Sequence, residues 1–344
     1  MPKKFKVGII GCGAISERLH VPDIYYGNEG ELVAFCDVDK ARAESMAERY
    51  GTAAKAYTDY NDLLADPSVE GVIIALPNRL HCKVTVAAAK AGKAAMIEKP
   101  MATSIEECQT MIDTAQKAGT LLMVNQSQRL EPAHRKAKEI LDSALLGRVL
   151  HVTAMFGHGG PDEWEPSATW FFDKDAARFG AMADLGIHKA DLVRYLVGKE
   201  VAEISAFAEH VQKLQGEDLE DNFVACLKFE DGAVGTLAAS WTAYGGNNNY
   251  IIFHCENGTL RVGIIPDQPI IAQIMNPACE INFDPGPPAI DYPESWGVDA
   301  GGAFVRAALG LEPPYCSGEE GFKSLQLIFA AEEAAKTRKT VRLA

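Results

Sequence analysis

In the first third of the chain the apolar positions alternate between two periods. "KVGIIG" is a short apolar run that stops at Gly11, and a helix-like stretch follows from about Ala14. "LVAFCD" is a second apolar run, closed by Asp37, and "KARAESMAERY" then places apolar residues at helical spacing. "GVIIAL", "AAMI" and "TLLMVNQ" repeat the short run. "LHCKVTVAAAKAG" and "SIEECQTMIDTAQKAG" repeat the helical spacing, the second opening on Ser104 and Glu107 in the pattern of a capping box. Solidly apolar strands alternating with helices predict a parallel sheet covered on both faces.

The rhythm changes after about Asn125. A helix, "PAHRKAKEILDSALLG", leads into the longer strand "RVLHVTAMFGHG", a loop rich in Trp, Pro and Gly, and the helix "ADLGIHKADLVRYLVG". Two hairpins follow, with turns expected at Asp231–Gly232 and Asn257–Gly258. The stretch from Asn276 to Trp296, rich in Pro, Asp and Gly, reads as loop, and "GEEGFKSLQLIFAAEEAAK" is a closing helix. The expected fold is α/β: a doubly wound parallel-sheet domain over 1–124, then an α+β domain with an open, largely antiparallel sheet over 125–344.

Composition narrows the partners. The chain has 344 residues and a formal net charge of −14, so nucleic acid and anionic membrane surfaces would repel it. Its basic, apolar start breaks into glycines and is not a signal peptide, and no later run is long and uncharged enough to span a bilayer. The eight cysteines are scattered, and Cys36, Cys226 and Cys255 sit inside apolar strand-like runs. That is the pattern of buried thiols in a reducing compartment, so a cytoplasmic protein is expected.

The candidate chemistry lies at strand ends. Gly11 permits a tight strand-to-helix turn, and Gly13 lets the backbone approach a pyrophosphate at the helix N-terminus formed by Ala14 and Ile15. The third position of that fingerprint is Ser16, neither Gly nor Ala. Asp37 is placed to hold the adenosine ribose and repel a 2′-phosphate, which favours NAD over NADP, although Lys40 and Arg42 are near. Its plainer role is a helix cap. Leu76, Asn78 and His81 follow the next strand on the ligand-binding side of the sheet. Asn78 is equally a helix cap, and His81 is either a ligand contact or a partly buried ring. Gln126 ends the last strand. "IEKP" ends its strand on Glu98 and Lys99, and Pro100 turns the chain and leaves a cis bond open. Beside a positively charged nicotinamide a lysine ammonium is disfavoured, so Lys99 would share its proton with a reacting oxygen. The plainer reading is an ion pair with Glu98.

Asp184, His188 and Asp191 fall on one helix face. His188 is a candidate base for an alcohol proton, and a metal site is the chemical rival. Arg129 is a substrate contact or a surface cation. His158, Trp170 and Trp241 are candidate walls for a sugar ring, or core.

Taken together, the glycine turn, "IEKPMA", "ADLGIHKADL" and "SGEEG" resemble the glucose–fructose oxidoreductase and inositol dehydrogenase family (Gfo/Idh/MocA) over nearly the whole chain. The resemblance implies a Rossmann domain, tightly held NAD(P), oxidation of a sugar or polyol hydroxyl, and a homodimer or homotetramer formed through the open sheet. It also implies that Lys99, Asp184 and His188 are catalytic, with no metal. Some members of the family cleave glycosides by transient oxidation and elimination, which is the alternative activity.

Overall fold

The computed structural model describes residues 3–51, 53–166, 169–212, 219–246, 248–265, 267–293 and 295–343, with Trp164 in its backbone alone. They fall into two compact units. One comprises Met1–Leu130 with Pro288–Phe322, and the other Glu131–Pro287 with Lys323–Ala344.

The first unit is built on β1 (Phe5–Ile10), β2 (Gly30–Cys36), β3 (Lys55–Tyr57), β4 (Gly71–Ile74), β5 (Ala94–Glu98) and β6 (Leu122–Asn125). All pair in parallel, in the order β3-β2-β1-β4-β5-β6. The order reverses between β1 and β4, so the crevice at the carboxyl ends of those strands is the binding point of the fold. The apolar sequence runs are the buried strands: Val7, Ile9, Ile73 and Met96 are fully enclosed. Helix Ile105–Ala118 starts where expected, with Ser104 Oγ accepting from the Glu107 N–H and Gly119 ending it in the left-handed conformation. The Glu107 carboxylate turns to Thr103 instead of completing the box.

The second unit holds β7 (Val149–Gly157), β8 (Val201–Glu209), β9 (Asn222–Phe229), β10 (Val234–Ser240), β11 (Asn248–Cys255), β12 (Gly258–Ile265), β13 (Gln268–Met275), β14 (Ala278–Asn282) and β15 (Val341–Arg342). Their order is β14-β13-β12-β11-β7-β10-β9-β8-β15. Among the described residues only β7 and β10 pair in parallel. Helix Ile187–Val197 packs on β7.

Several expectations need correction. The single cut at 124/125 does not describe the compact units, because 288–322 belongs with the first. Helix Ala300–Ala308, not predicted, packs there: Phe304 meets Phe5 edge-on at 6.2 Å, and Asp23 accepts from Tyr292 Oη and Gly301 N. β3 and helix Tyr60–Ala65 were too short to register as periodic runs. The stretch read as loop from Asn276 contains β14. The second hairpin turns at Glu256–Asn257, one residue early, and Gly258 already pairs with Cys255. A Cβ there would lie 2.1 Å from the Gln273 carbonyl oxygen, so this glycine serves close strand approach and not the turn. Cys36 and Cys255 are buried, but Cys226 is exposed, because β9 alternates and turns 224, 226 and 228 outward. The eight cysteines are free. Among the described residues no helix is long and apolar enough to cross a membrane.

Candidate active site

In the first unit the glycine turn has the shape a dinucleotide requires. Gly11 sits at φ +96, and a Cβ on it would lie 2.0 Å from the Ala75 carbonyl oxygen. A Cβ on Gly13 would meet no described protein atom within 4 Å, which is the open approach a pyrophosphate needs. Helical backbone begins at Ala14, and Ile15 packs with Leu19, Val298 and Ala300. Ser16 is fully buried, and its hydroxyl donates to the Gly11 carbonyl at 2.6 Å. The departure from the fingerprint is therefore accommodated by a bond that braces the turn.

Asp37 Oδ2 accepts from the Cys12 N–H at 2.8 Å, which ties the ribose-side carboxylate to the glycine turn. The helix-cap reading fails for it, because Asp39 caps the helix Lys40–Tyr50. The two cations that would favour a 2′-phosphate are paired, Lys40 with Glu44 at 3.0 Å and Arg42 with Asp39 at 3.5 Å. Gln126 is buried at the end of β6, and its Oε1 has no hydrogen-bond partner among the described residues. An acceptor left unmade at that depth is costly unless a ligand donor meets it. The glycine cradle, Asp37 and Gln126 together fit a bound NAD.

Asn78 is buried in the short turn Asn78–Leu80, and no side-chain cap opens that turn or the helix His81–Lys90. His81 lies deeper than the partly buried ring expected. It is fully enclosed, with Nδ1 2.8 Å from the Pro100 carbonyl oxygen and Nε2 2.7 Å from that of Leu76, and burial pushes its pKa down. A neutral ring carries a single N–H, so it donates to one of these two carbonyls and packs its other edge against the second.

At the end of β5, Glu98 Oε1 accepts from His20 Nε2 and from Asn125 Nδ2, both at 2.7 Å, and Oε2 accepts from the Lys99 N–H at 3.1 Å. Burial pushes the Glu98 pKa up, but the bonds from His20 and Asn125 and the nearby Lys99 outweigh it and hold the carboxylate below its ordinary range. Lys99 is half-buried, and its bond to Pro100 is cis. Tyr315 Oη donates to Asn125 Oδ1 at 2.6 Å, which extends the network. Arg129 is not a surface cation. It is buried, donates to the Tyr315 carbonyl at 2.9 Å and pairs with Glu320 at 3.4 Å.

In the second unit Asp184 lies in the turn Met182–Gly186 and His188 in the helix that continues it. Trp241 is core: it is 1% exposed, and its indole N–H donates to Asp184 Oδ2 at 3.0 Å. Phe172 packs edge-on to Trp241 at 5.6 Å, which links the turn Thr169–Phe172 to Asp184, while Trp170 stacks on Phe171 at 4.0 Å. Phe156 lies 5.8 Å from both His188 and His158. The Gly160 N–H donates to His158 Nδ1 at 2.9 Å, so the neutral ring carries its proton on Nε2. Asp191 accepts from Ser324 Oγ at 2.8 Å, which in turn accepts from Arg194. Among the described residues no three His, Cys, Asp or Glu side chains are placed to hold a metal ion. Sequence reasoning missed the supports His20, Asn125 and Tyr315, and it missed the bond from Trp241 to Asp184. None of them carries a local signal.

Residues 5–126 match the family described as an oxidoreductase family with an NAD-binding Rossmann fold, and residues 134–261 match the GFO/IDH/MocA C-terminal domain. The chain is 26% identical to myo-inositol 2-dehydrogenase of Thermotoga maritima across 98% of both chains. It is 30% identical to inositol 2-dehydrogenase of Acidothermus cellulolyticus over 79% of this chain and 76% of that one. Its fold superposes on the WlbA dehydrogenase of Bordetella pertussis, solved with NADH and UDP-GlcNAcA, with a TM-score of 0.85 and 26% identity, covering 100% of this chain and 99% of that one.

Proposed function

Because this chain belongs to the Gfo/Idh/MocA oxidoreductase family and binds NAD through its Rossmann domain, we propose that it oxidises a secondary hydroxyl of a sugar, sugar derivative or inositol, with Lys99, Asp184 and His188 as catalytic residues. The observation that carries this reading is the pair on one helix: a buried carboxylate oriented by the Trp241 indole and a buried imidazole one turn later. That arrangement suits a polyol, in which one hydroxyl loses its proton to the imidazole while a neighbouring hydroxyl donates to the carboxylate.

Bound NAD supplies the hydride acceptor for oxidation and, when reduced, the donor for the reverse. His188 takes the hydroxyl proton. Asp184 accepts from the substrate and holds it in register for that transfer. Lys99 donates to the oxygen as negative charge develops on it, which stabilises the alkoxide character of the transition state. Asp37 and the glycine turn orient the dinucleotide, and Asn78 and Gln126 offer polar groups to it. His158, through Nε2, and Trp170 line the sugar side. The dinucleotide stays NAD, because Asp37 repels a 2′-phosphate.

The cytoplasm is the proposed compartment, supported by eight cysteines that remain thiols. A homodimer or homotetramer through the outer face of the nine-stranded sheet is supported by apolar Phe207 and Val224, paired across β8 and β9 and both largely exposed.

The test is a panel of sugars and polyols monitored for NADH absorbance, beside aryl glycosides. Free sugars should yield stoichiometric NADH. Aryl glycoside cleavage without net NADH would replace dehydrogenation by the elimination chemistry. Lys99→Met should keep NAD binding and lose turnover by about a hundredfold or more, and Lys99→Arg should not restore it.

A further inference from the structure

Lys99 leaves β5 between two residues that buried histidines hold. His81 reaches the carbonyl of Pro100, and His20 reaches the carboxylate of Glu98. Both rings are 0% exposed. His20 is nowhere near Lys99 in sequence. It lies in the turn Ser16–His20 of the helix that follows the glycine loop, and it meets β5 across 78 residues.

The bond from Glu98 Oε2 to the Lys99 N–H joins neighbours in the chain and is long, at 3.1 Å. A contact of that kind holds only if the carboxylate is fixed from its other side. Oε1 supplies the fixing, with two donors at 2.7 Å, from His20 and Asn125. The His20 ring has its other nitrogen, Nδ1, buried without a hydrogen-bond partner among the described residues. A proton there would face no acceptor, so the proton of the neutral ring belongs on Nε2, aimed at Glu98. The imidazole is thus a dedicated donor to one carboxylate oxygen.

We propose that His20 is a positioning residue for the reaction: its Nε2–H locks the Glu98 carboxylate against the Lys99 N–H and so fixes the backbone from which the Lys99 side chain departs. The inference rests on Lys99 being catalytic. His20 touches neither substrate nor the reacting atoms. Its effect is transmitted through the strand end.

Two polar replacements separate the bond from mere filling of space. Gln places its amide nitrogen near the position of the imidazole Nε2, whereas Asn is too short to reach Glu98. The experiment is a kinetic cycle of wild type, His20→Gln and His20→Asn, each with and without Lys99→Met, with NAD affinity titrated by fluorescence. His20→Asn should lower kcat about ten- to a hundredfold, the usual consequence of a displaced catalytic group. Its NAD affinity should change less than threefold, and His20→Gln should recover most of kcat. In the Lys99→Met background His20→Asn should lower kcat less than twofold, because the group it positions is gone. Losses that multiply in the double variant overturn the proposal, as does equal activity of His20→Asn and His20→Gln. Near-wild-type turnover by Lys99→Met alone would instead sink the underlying reading of Lys99, so the two failures are distinct. If His20→Asn does not fold, Asn125→Ala removes the second donor to the same oxygen and should follow the same cycle. A multiplicative loss there is equally decisive against the proposal.

Discussion

Replacing Trp241 by Phe isolates one bond in the second unit. The variant keeps an aromatic ring beside Phe172 but deletes the N–H that meets Asp184 Oδ2 at 3.0 Å. Both residues are buried, so water cannot readily substitute. A hydrogen bond to a charged group contributes about 1.5–3 kcal/mol. The smaller ring leaves a hole worth roughly another 1–2 kcal/mol, because the surroundings close only partly. Trp241→Phe should therefore destabilise the second unit by about 2.5–5 kcal/mol in urea denaturation. To separate the two contributions, Asp184→Ala is combined with Trp241→Phe. The hole does not depend on the carboxylate, so the coupling energy of the cycle reports the bond and should be about 1.5–3 kcal/mol. The same bond orients the carboxylate, so kcat/KM for the best sugar should fall by about tenfold or more in Trp241→Phe with NAD affinity retained. A coupling below about 0.5 kcal/mol together with an unaltered kcat/KM would show that the indole only fills space.

Three further outcomes follow from the same geometry. Asp37→Ala should weaken NAD about tenfold or more and narrow the preference over NADP in parallel titrations, and wild-type protein that binds NADP more tightly would refute the role given to Asp37. Turnover should survive exhaustive chelation, and activity lost to a chelator and restored by stoichiometric zinc would move Asp184 and His188 to a metal site. Burial pushes Asp23 up to about 6 from its ordinary 3.8, so the folded protein holds that proton more tightly than the unfolded chain. Stability from this group is full below about pH 4 and is lost as pH rises through about 6, a change of about 3 kcal/mol that Asp23→Asn should flatten in denaturation at stepped pH.

The parallel sheet was legible because its information is local. A run such as "GVII" is apolar on both faces and is followed at once by a turn, and no other arrangement buries it as well. The candidate site residues were conspicuous for a related reason: charge at the end of a buried strand is costly, and Asp37 and Lys99 stand out against their neighbours. The return of 288–322 to the first unit was not legible. It depends on Asp23 meeting Tyr292 and Asn125 meeting Tyr315, pairs separated by 269 and 190 residues. Periodicity has no access to such distances.

The same division explains what stayed open at individual side chains. Arg129, His81 and Trp241 each allowed a ligand contact and a packing role, because their residue types suit both. The structure turns the polar atoms of Arg129 and His81 on backbone carbonyls and that of Trp241 on a carboxylate. A buried polar group must find a partner, and in a folded chain the partner is most often another part of the same chain. Residue type alone therefore overcounts ligand contacts and undercounts supports. Glu98 shows the consequence at the site itself. Its carboxylate was visible in "IEKP", but what it does depends on His20, a residue whose own sequence context is an unremarkable amphipathic helix. The lysine can be read from the strand end on which it sits, whereas the histidine that meets its neighbouring carboxylate is brought there only by the folded chain.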